Sequence, residues 1–61
     1  MEKDDIMYFE EKKVCVFHMK GFRYNGVIKN IGSTCILLDD RYDGMMTILL
    51  SDIKQVKVAE W

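Results

Sequence analysis

Proline is absent from this 61-residue chain, as are low-complexity tracts, internal repeats and long apolar runs. Nothing therefore marks a linker or a second domain, and residues 1–61 read as one domain. No stretch approaches the roughly 18 apolar residues that a membrane-crossing helix needs. The first twelve residues are acidic and lack the apolar core of a secretory signal. A soluble, cytoplasmic chain with no membrane partner is the expectation. Cysteine is scarce, with only Cys15 and Cys35, each inside an apolar run. A disulfide framework calls for more cysteines in loop-rich surroundings, and a zinc site for paired spacings with nearby histidines. The two thiols are thus expected to be reduced and packed as small hydrophobes, with no metal and no cofactor.

Histidine occurs once, at His18, where alternation places it on one strand face with Val14 and Val16. No Ser, Cys or carboxylate sits at a spacing that suggests a triad, so the chain is not expected to be an enzyme. The loop Asp39-Asp40-Arg41-Tyr42-Asp43 carries three carboxylates but lacks the spacing and distal Glu of a calcium loop. A solvated turn is the better description.

The net charge of −1 conceals an asymmetry: residues 1–12 sum to −3, residues 13–38 to +4 with no acid, and residues 39–61 to −2. The middle third is the only basic ground. Overall charge gives no general attraction for phosphate, so a nucleic-acid partner would have to be held by more than electrostatics.

From Lys13 onward the pattern is one of short β-branched and aromatic runs separated by Gly, Asn and Asp. Five strands are predicted, at 13–19, 22–31, 34–39, 45–50 and 53–58. Lys20-Gly21 makes a tight turn, and Ser51-Asp52 a sharp connection short enough to be one helical turn. Gly26 falls in the middle of the long second strand, where a glycine is costly unless the backbone bends or meets another chain closely. A bend is expected, because a small barrel must curl sharply. Ahead of the strands, Asp4-Asp5 is placed to cap an amphipathic helix of two or three turns within residues 1–12, with Ile6 and Phe9 on one face. The predicted class is mainly β: a short N-terminal helix (1–12), a five-stranded, strongly bent antiparallel barrel (13–58) and a tail (59–61). Trp61 in that tail is either frayed or packed on the helix.

A domain this small buries only about 60% of the surface its unfolded chain exposes. Disulfides, metals or self-association usually make up the deficit. The run Met45-Met46-Thr47-Ile48-Leu49-Leu50 suits a strand covered on both faces, and as an open edge it would invite aggregation. Pairing with a second copy removes that edge; a monomer that folds the helix over it is the competing arrangement. The five methionines fit a role as gap fillers in the core and at such a contact.

The stretch Val14-Cys15-Val16-Phe17-His18-Met19-Lys20-Gly21-Phe22-Arg23-Tyr24-Asn25-Gly26-Val27-Ile28 has an alternating strand, a turn glycine, and a second glycine five residues on that opens an apolar strand. It resembles the first motif of the Sm-like family, in particular the bacterial Hfq form. Cys35-Ile36-Leu37-Leu38-Asp39 resembles the third strand of that motif and Ile48 to Val56 the shorter second motif. The resemblance implies an Sm-fold barrel and a homo-oligomeric ring, hexameric or heptameric. The fourth strand of one copy would pair with the fifth of the next, through Met45, Met46, Ile48 and Leu50 on one side and Ile53, Val56 and Val58 on the other. It also implies single-stranded RNA as a partner. The matching positions for a purine-binding face are Phe17, Gly21, Phe22 and Arg23, with Tyr24 next and Gln55 from the last strand. The pore-side pocket departs from the family. Uridine-binding relatives carry Asp and Asn after the second strand and Arg-Gly in the second motif, and the Hfq form has Tyr-Lys-His there. This chain has Gly32-Ser33-Thr34 and Leu49-Leu50-Ser51, leaving Ser33, Thr34 and Ser51 as hydrogen-bonding groups with no cation or stacking ring. An SH3-like or Sm-like interaction scaffold that binds no RNA is the alternative.

Overall fold

The computed structural model describes all 61 residues. Five antiparallel strands form one sheet: β1 (Lys13–His18), β2 (Arg23–Ile31), β3 (Cys35–Asp40), β4 (Gly44–Leu49) and β5 (Ile53–Val58). Their spatial order is β4-β3-β2-β1-β5. The predicted strands agree to within a residue at each end. The sheet is strongly bent but not closed, since β4 and β5 lie at its two edges and do not pair with each other. Residues Leu50–Asp52 form a single 3-10 turn between them, as the short Ser51-Asp52 connection suggests.

The bend is made in β2. Its first half pairs with β1, from Phe17↔Arg23 to Lys13↔Val27, and its second half with β3, from Gly26↔Asp40 to Ile31↔Ile36. Only Gly26 and Val27 belong to both ladders. Gly26 is buried, and a Cβ there would lie inside van der Waals contact of the Asp39 carbonyl oxygen, 2.8 Å from the Asp39 carbonyl carbon and 2.9 Å from the Asp40 Cα. The residue is glycine because two backbones share the space that a side chain would take. A register shift between Ile28 and Asn30 adds a second local kink.

The two hairpins close as their residues require. Gly21 and Gly44 take φ values of +95° and +78°, where a side chain is strained. Asp40, only 5% exposed, accepts hydrogen bonds at Oδ2 from the backbone N–H groups of Tyr42 (3.0 Å) and Asp43 (2.9 Å). That carboxylate is committed to shaping the β3–β4 turn.

The core holds eleven buried apolar side chains, among them Val14, Val16, Ile28, Leu38, Ile48, Leu50, Ile53 and Val56. Those on the strands occupy inward positions, Leu50 lies in the 3-10 turn, and the leading segment covers them. That segment is shorter in helix than predicted: an α-turn at Lys3–Ile6 runs into a 3-10 turn at Met7–Phe9. Glu2, not Asp4 or Asp5, stands at the N-cap, without a side-chain bond. Ile6 is fully buried and Phe9 packs against the core. The segment is fixed at both ends, by Met1 N donating to Leu50 O (2.9 Å) and Glu11 N donating to Ile28 O (2.7 Å).

Three further expectations change. Within one chain β4 is covered on one face only: Ile48 points inward, whereas Met45 and Leu49 are 56% and 50% exposed. The leading segment does not cover them. Cys15 and Cys35 are free, as expected, but half-buried on outward positions rather than in the core. Of the methionines, Met1 and Met46 pack against the core, while Met7, Met19 and Met45 are exposed.

The Gly26 contact yields a direct test. Gly26→Ala is expected to cost about 3 kcal/mol or more, because both clashing groups are backbone. Gly21→Ala has open space around the new methyl and is expected to cost only about 1–2 kcal/mol of conformational strain. Urea denaturation of the two variants beside the parent measures the difference.

Candidate functional site

Alternation along β1 sends Val14 and Val16 inward and Lys13, Cys15 and Phe17 outward. The pairing register then sets their neighbours. Phe17 lies between Arg23 of β2 and Gln55 of β5, and Cys15 between Asn25 and Lys57. The Arg23 guanidinium carbon is 6.0 Å and the Lys57 Nζ 5.6 Å from the centre of the Phe17 ring. A half-buried aromatic ring flanked by two cations and an amide thus faces outward from the centre of a three-strand surface. Each part has a chemistry: the ring can stack on a base, the cations can meet phosphate, and the amide can pair with a base edge.

Of the residues assigned to this face from the sequence, the structure brings Phe17, Arg23 and Gln55 together. Gly21 turns the hairpin beside them, with its N–H donated to His18 O (2.9 Å). Tyr24 is not on this face. It pairs with Val16 on the inward side and packs against the core. Phe22 sits at the turn, 57% exposed, with its ring 5.6 Å from the His18 ring. His18 also meets the Tyr24 ring edge-on at 6.3 Å. Its Nδ1 accepts a hydrogen bond from Lys20 N (3.0 Å), and its Nε2 lies 3.8 Å from Asp52 Oδ2. A carboxylate remote in sequence therefore does stand near the histidine. The imidazole nevertheless has its Nδ1 and its ring contacts with Phe22 and Tyr24 engaged at the turn.

Lys57 and Asn25 complete the outward face and were not assigned to it from the sequence. The signal for Lys57 was available: in β5, Val56 is buried, so its neighbours Gln55 and Lys57 share the opposite side. At the far end of the face the Trp61 ring lies 5.0 Å from Lys13 Nζ and 4.3 Å from the Arg41 guanidinium carbon. Trp61 packs on these cations.

Ser33, Thr34 and Ser51, which the resemblance places on a pore side, also meet. Leu50 N donates to Thr34 O (2.8 Å), drawing the β2–β3 turn against the β4–β5 turn. All three line one open cleft of about 440 Å³ together with Lys3 and Leu49. Lys3 supplies a cation that the loops themselves lack, but no aromatic ring lines the cleft. Of the residues assigned to a subunit contact, Ile48, Leu50, Ile53 and Val56 belong to the protomer's own core. Met45 and Val58 are exposed and Met46 half-buried, and Leu49, not assigned before, is exposed beside them.

No family model matches the chain, and no curated protein matches it in sequence. Among solved structures the chain is similar to a crystal structure of the pleiotropic translational regulator Hfq. The two superpose with a TM-score of 0.78 at 23% identity, over 90% of this chain and 93% of that one. The Sm-type fold is thereby shown.

The exposed placement of Phe22 at the hairpin can be checked by stability against a buried position. Phe22→Ala is expected to shift the unfolding free energy by less than about 1 kcal/mol, as at an exposed position. Ile28→Ala, which empties a fully buried position, is expected to cost about 2–5 kcal/mol.

Proposed function

We propose that this chain is a binding protein, not an enzyme, that assembles into a homo-oligomeric ring and holds single-stranded RNA on the outward face of β1, β2 and β5. The observation that carries the reading is the Phe17 ring between Arg23 and Lys57, with Gln55 beside it in register. Bases stack on aromatic side chains for about 1–3 kcal/mol each. Gln and Asn amides can bridge the N6 and N7 positions of adenine, so Gln55 and Asn25 favour A-rich sequence. The similar protein's description as a translational regulator is consistent with an RNA partner.

Ring assembly is supported by the two unpaired edges. β4 and β5 end opposite sides of the same sheet, and each carries exposed apolar side chains, Met45 and Leu49 on β4 and Val58 on β5. Antiparallel pairing of β4 with the β5 of a second copy satisfies both rows of backbone groups and repeats until the ring closes. The pore-side cleft, with one lysine and no ring, is a poorer RNA site than the outward face.

Native mass spectrometry is expected to show a closed oligomer. Arg23→Ala is expected to weaken binding of short A-rich RNA and to reduce the slope of log affinity against log salt by about 1. An unchanged affinity and slope would remove the proposed surface. A ring that binds neither oligo(A) nor oligo(U) would select an interaction scaffold, and a stable monomer an SH3-like module.

A further inference from the structure

Trp61 is the only tryptophan of the chain, and it is not among the side chains packed against the core. A large indole normally buries its area against apolar neighbours. Here it rests on Arg41 at 4.3 Å and Lys13 at 5.0 Å, and Arg41 also lies 5.6 Å from the ring of Tyr42, itself 78% exposed. Lys13 belongs to the same outward row of β1 as Cys15 and Phe17, so this cluster continues the face that Phe17 centres. Arg41 is held at that end by its backbone N–H, donated to Asn25 O (2.8 Å), the outward neighbour of Cys15.

Four residues separate Phe17 from Lys13, which along a strand is about 13 Å. Along the face that joins the two rings, Arg23 flanks Phe17, Lys57 is paired with Cys15 midway, and Lys13 and Arg41 sit at Trp61, with Asp39 the acid in the Lys13 row. Cations distributed over a face with a ring at each end suit a polyanion whose backbone carries regularly spaced charges and whose bases have flat faces. Bases stack on guanidinium planes as well as on aromatic rings, so Arg41 over Trp61 is a composite platform. A peptide would gain little from cations spaced in this way.

We infer that Trp61, with Arg41 and Lys13, forms a second base-stacking platform, so that one RNA strand crosses each protomer from Phe17 to Trp61. The inference rests on the proposed RNA reading and adds to it a site and a direction of travel. Two of its cations, Lys57 and Arg41, come from the acidic C-terminal third of the sequence and join the basic middle only through folding.

Because the indole is unique, its emission reports on this platform alone. Titration of the intact protein with A-rich RNA of about a dozen nucleotides is expected to quench Trp61 fluorescence and shield it from acrylamide. Trp61→Ala is expected to weaken binding about fivefold or more, the lower bound for losing one stack, and Trp61→Phe to restore most of the loss. Should Phe17→Ala weaken binding while the parent's emission and acrylamide access stay unchanged and Trp61→Ala binds like the parent, the second platform is overturned and the Phe17 reading survives. Should the RNA not bind the parent protein at all, both fall.

Discussion

The contact between Gly26 and the Asp39–Asp40 peptide governs the architecture, because it lets β2 serve two ladders that face in different directions. With a side chain at residue 26 the β1–β2 and β2–β3 pairings would compete for the same space. With none, the sheet folds over itself and eleven apolar side chains meet inside a body of only 61 residues. The curvature also determines what is left outside. Val14 and Val16 turn into the fold, and their alternates Cys15 and Phe17 crown its outer side.

The same curvature leaves the sheet open. A five-stranded sheet that wraps a core this small runs out of strand before β4 meets β5, so two rows of backbone donors and acceptors end without partners. The molecule has few means of protecting them. The β4 edge has no proline and no lysine, and its outward residues are Met45, Thr47 and Leu49. β5 carries Lys54 and Lys57, which discourage indiscriminate pairing along that strand. An apolar edge and a charged edge are unlike surfaces. In the proposed ring the β4 edge of one copy meets the β5 edge of the next, a head-to-tail contact of unlike edges rather than a two-fold one.

Much of this was legible in the sequence, because the signals are local. Short β-branched and aromatic runs marked all five strands, and Gly21 and Gly26 marked places where the backbone leaves the ordinary range or admits a neighbour. The leading segment was less legible. Ile6 and Phe9, three residues apart, suit a 3-10 turn as well as an α-helix, and the spacing does not separate the two. The outward site was legible in part. Arg23 and Tyr24 are adjacent in a strand, so alternation already forbids both from sharing a face with Phe17, and the structure sends Tyr24 inward. Lys57 and Arg41 reach the site through the β1–β5 pairing and the β3–β4 turn. Alternation with Val56 gives Lys57 its outward side, but which strand it meets, and where the Arg41 turn lands, are long-range placements that no local pattern encodes.

A chain with net charge −1 cannot rely on its overall field to collect a polyanion. What the fold supplies in its place is segregation. The acidic leading segment lies across the other side of the sheet, fixed between Leu50 and Ile28, while Arg23, Lys57, Lys13 and Arg41 gather on the outward face. A handful of cations releases few counterions, and the salt-dependent part of the affinity for a single strand falls in proportion. Stacking must then carry more of the binding, and a stack of about 1–3 kcal/mol is weak by itself. In the proposed ring, repetition changes that balance. Once one base is held, the next platform is met at the high effective concentration of a tethered ligand, and modest contacts multiply without any stronger one being built. On this view the open edges and the sparse outward face solve a single problem: a protomer too small for a strong site becomes useful by being copied.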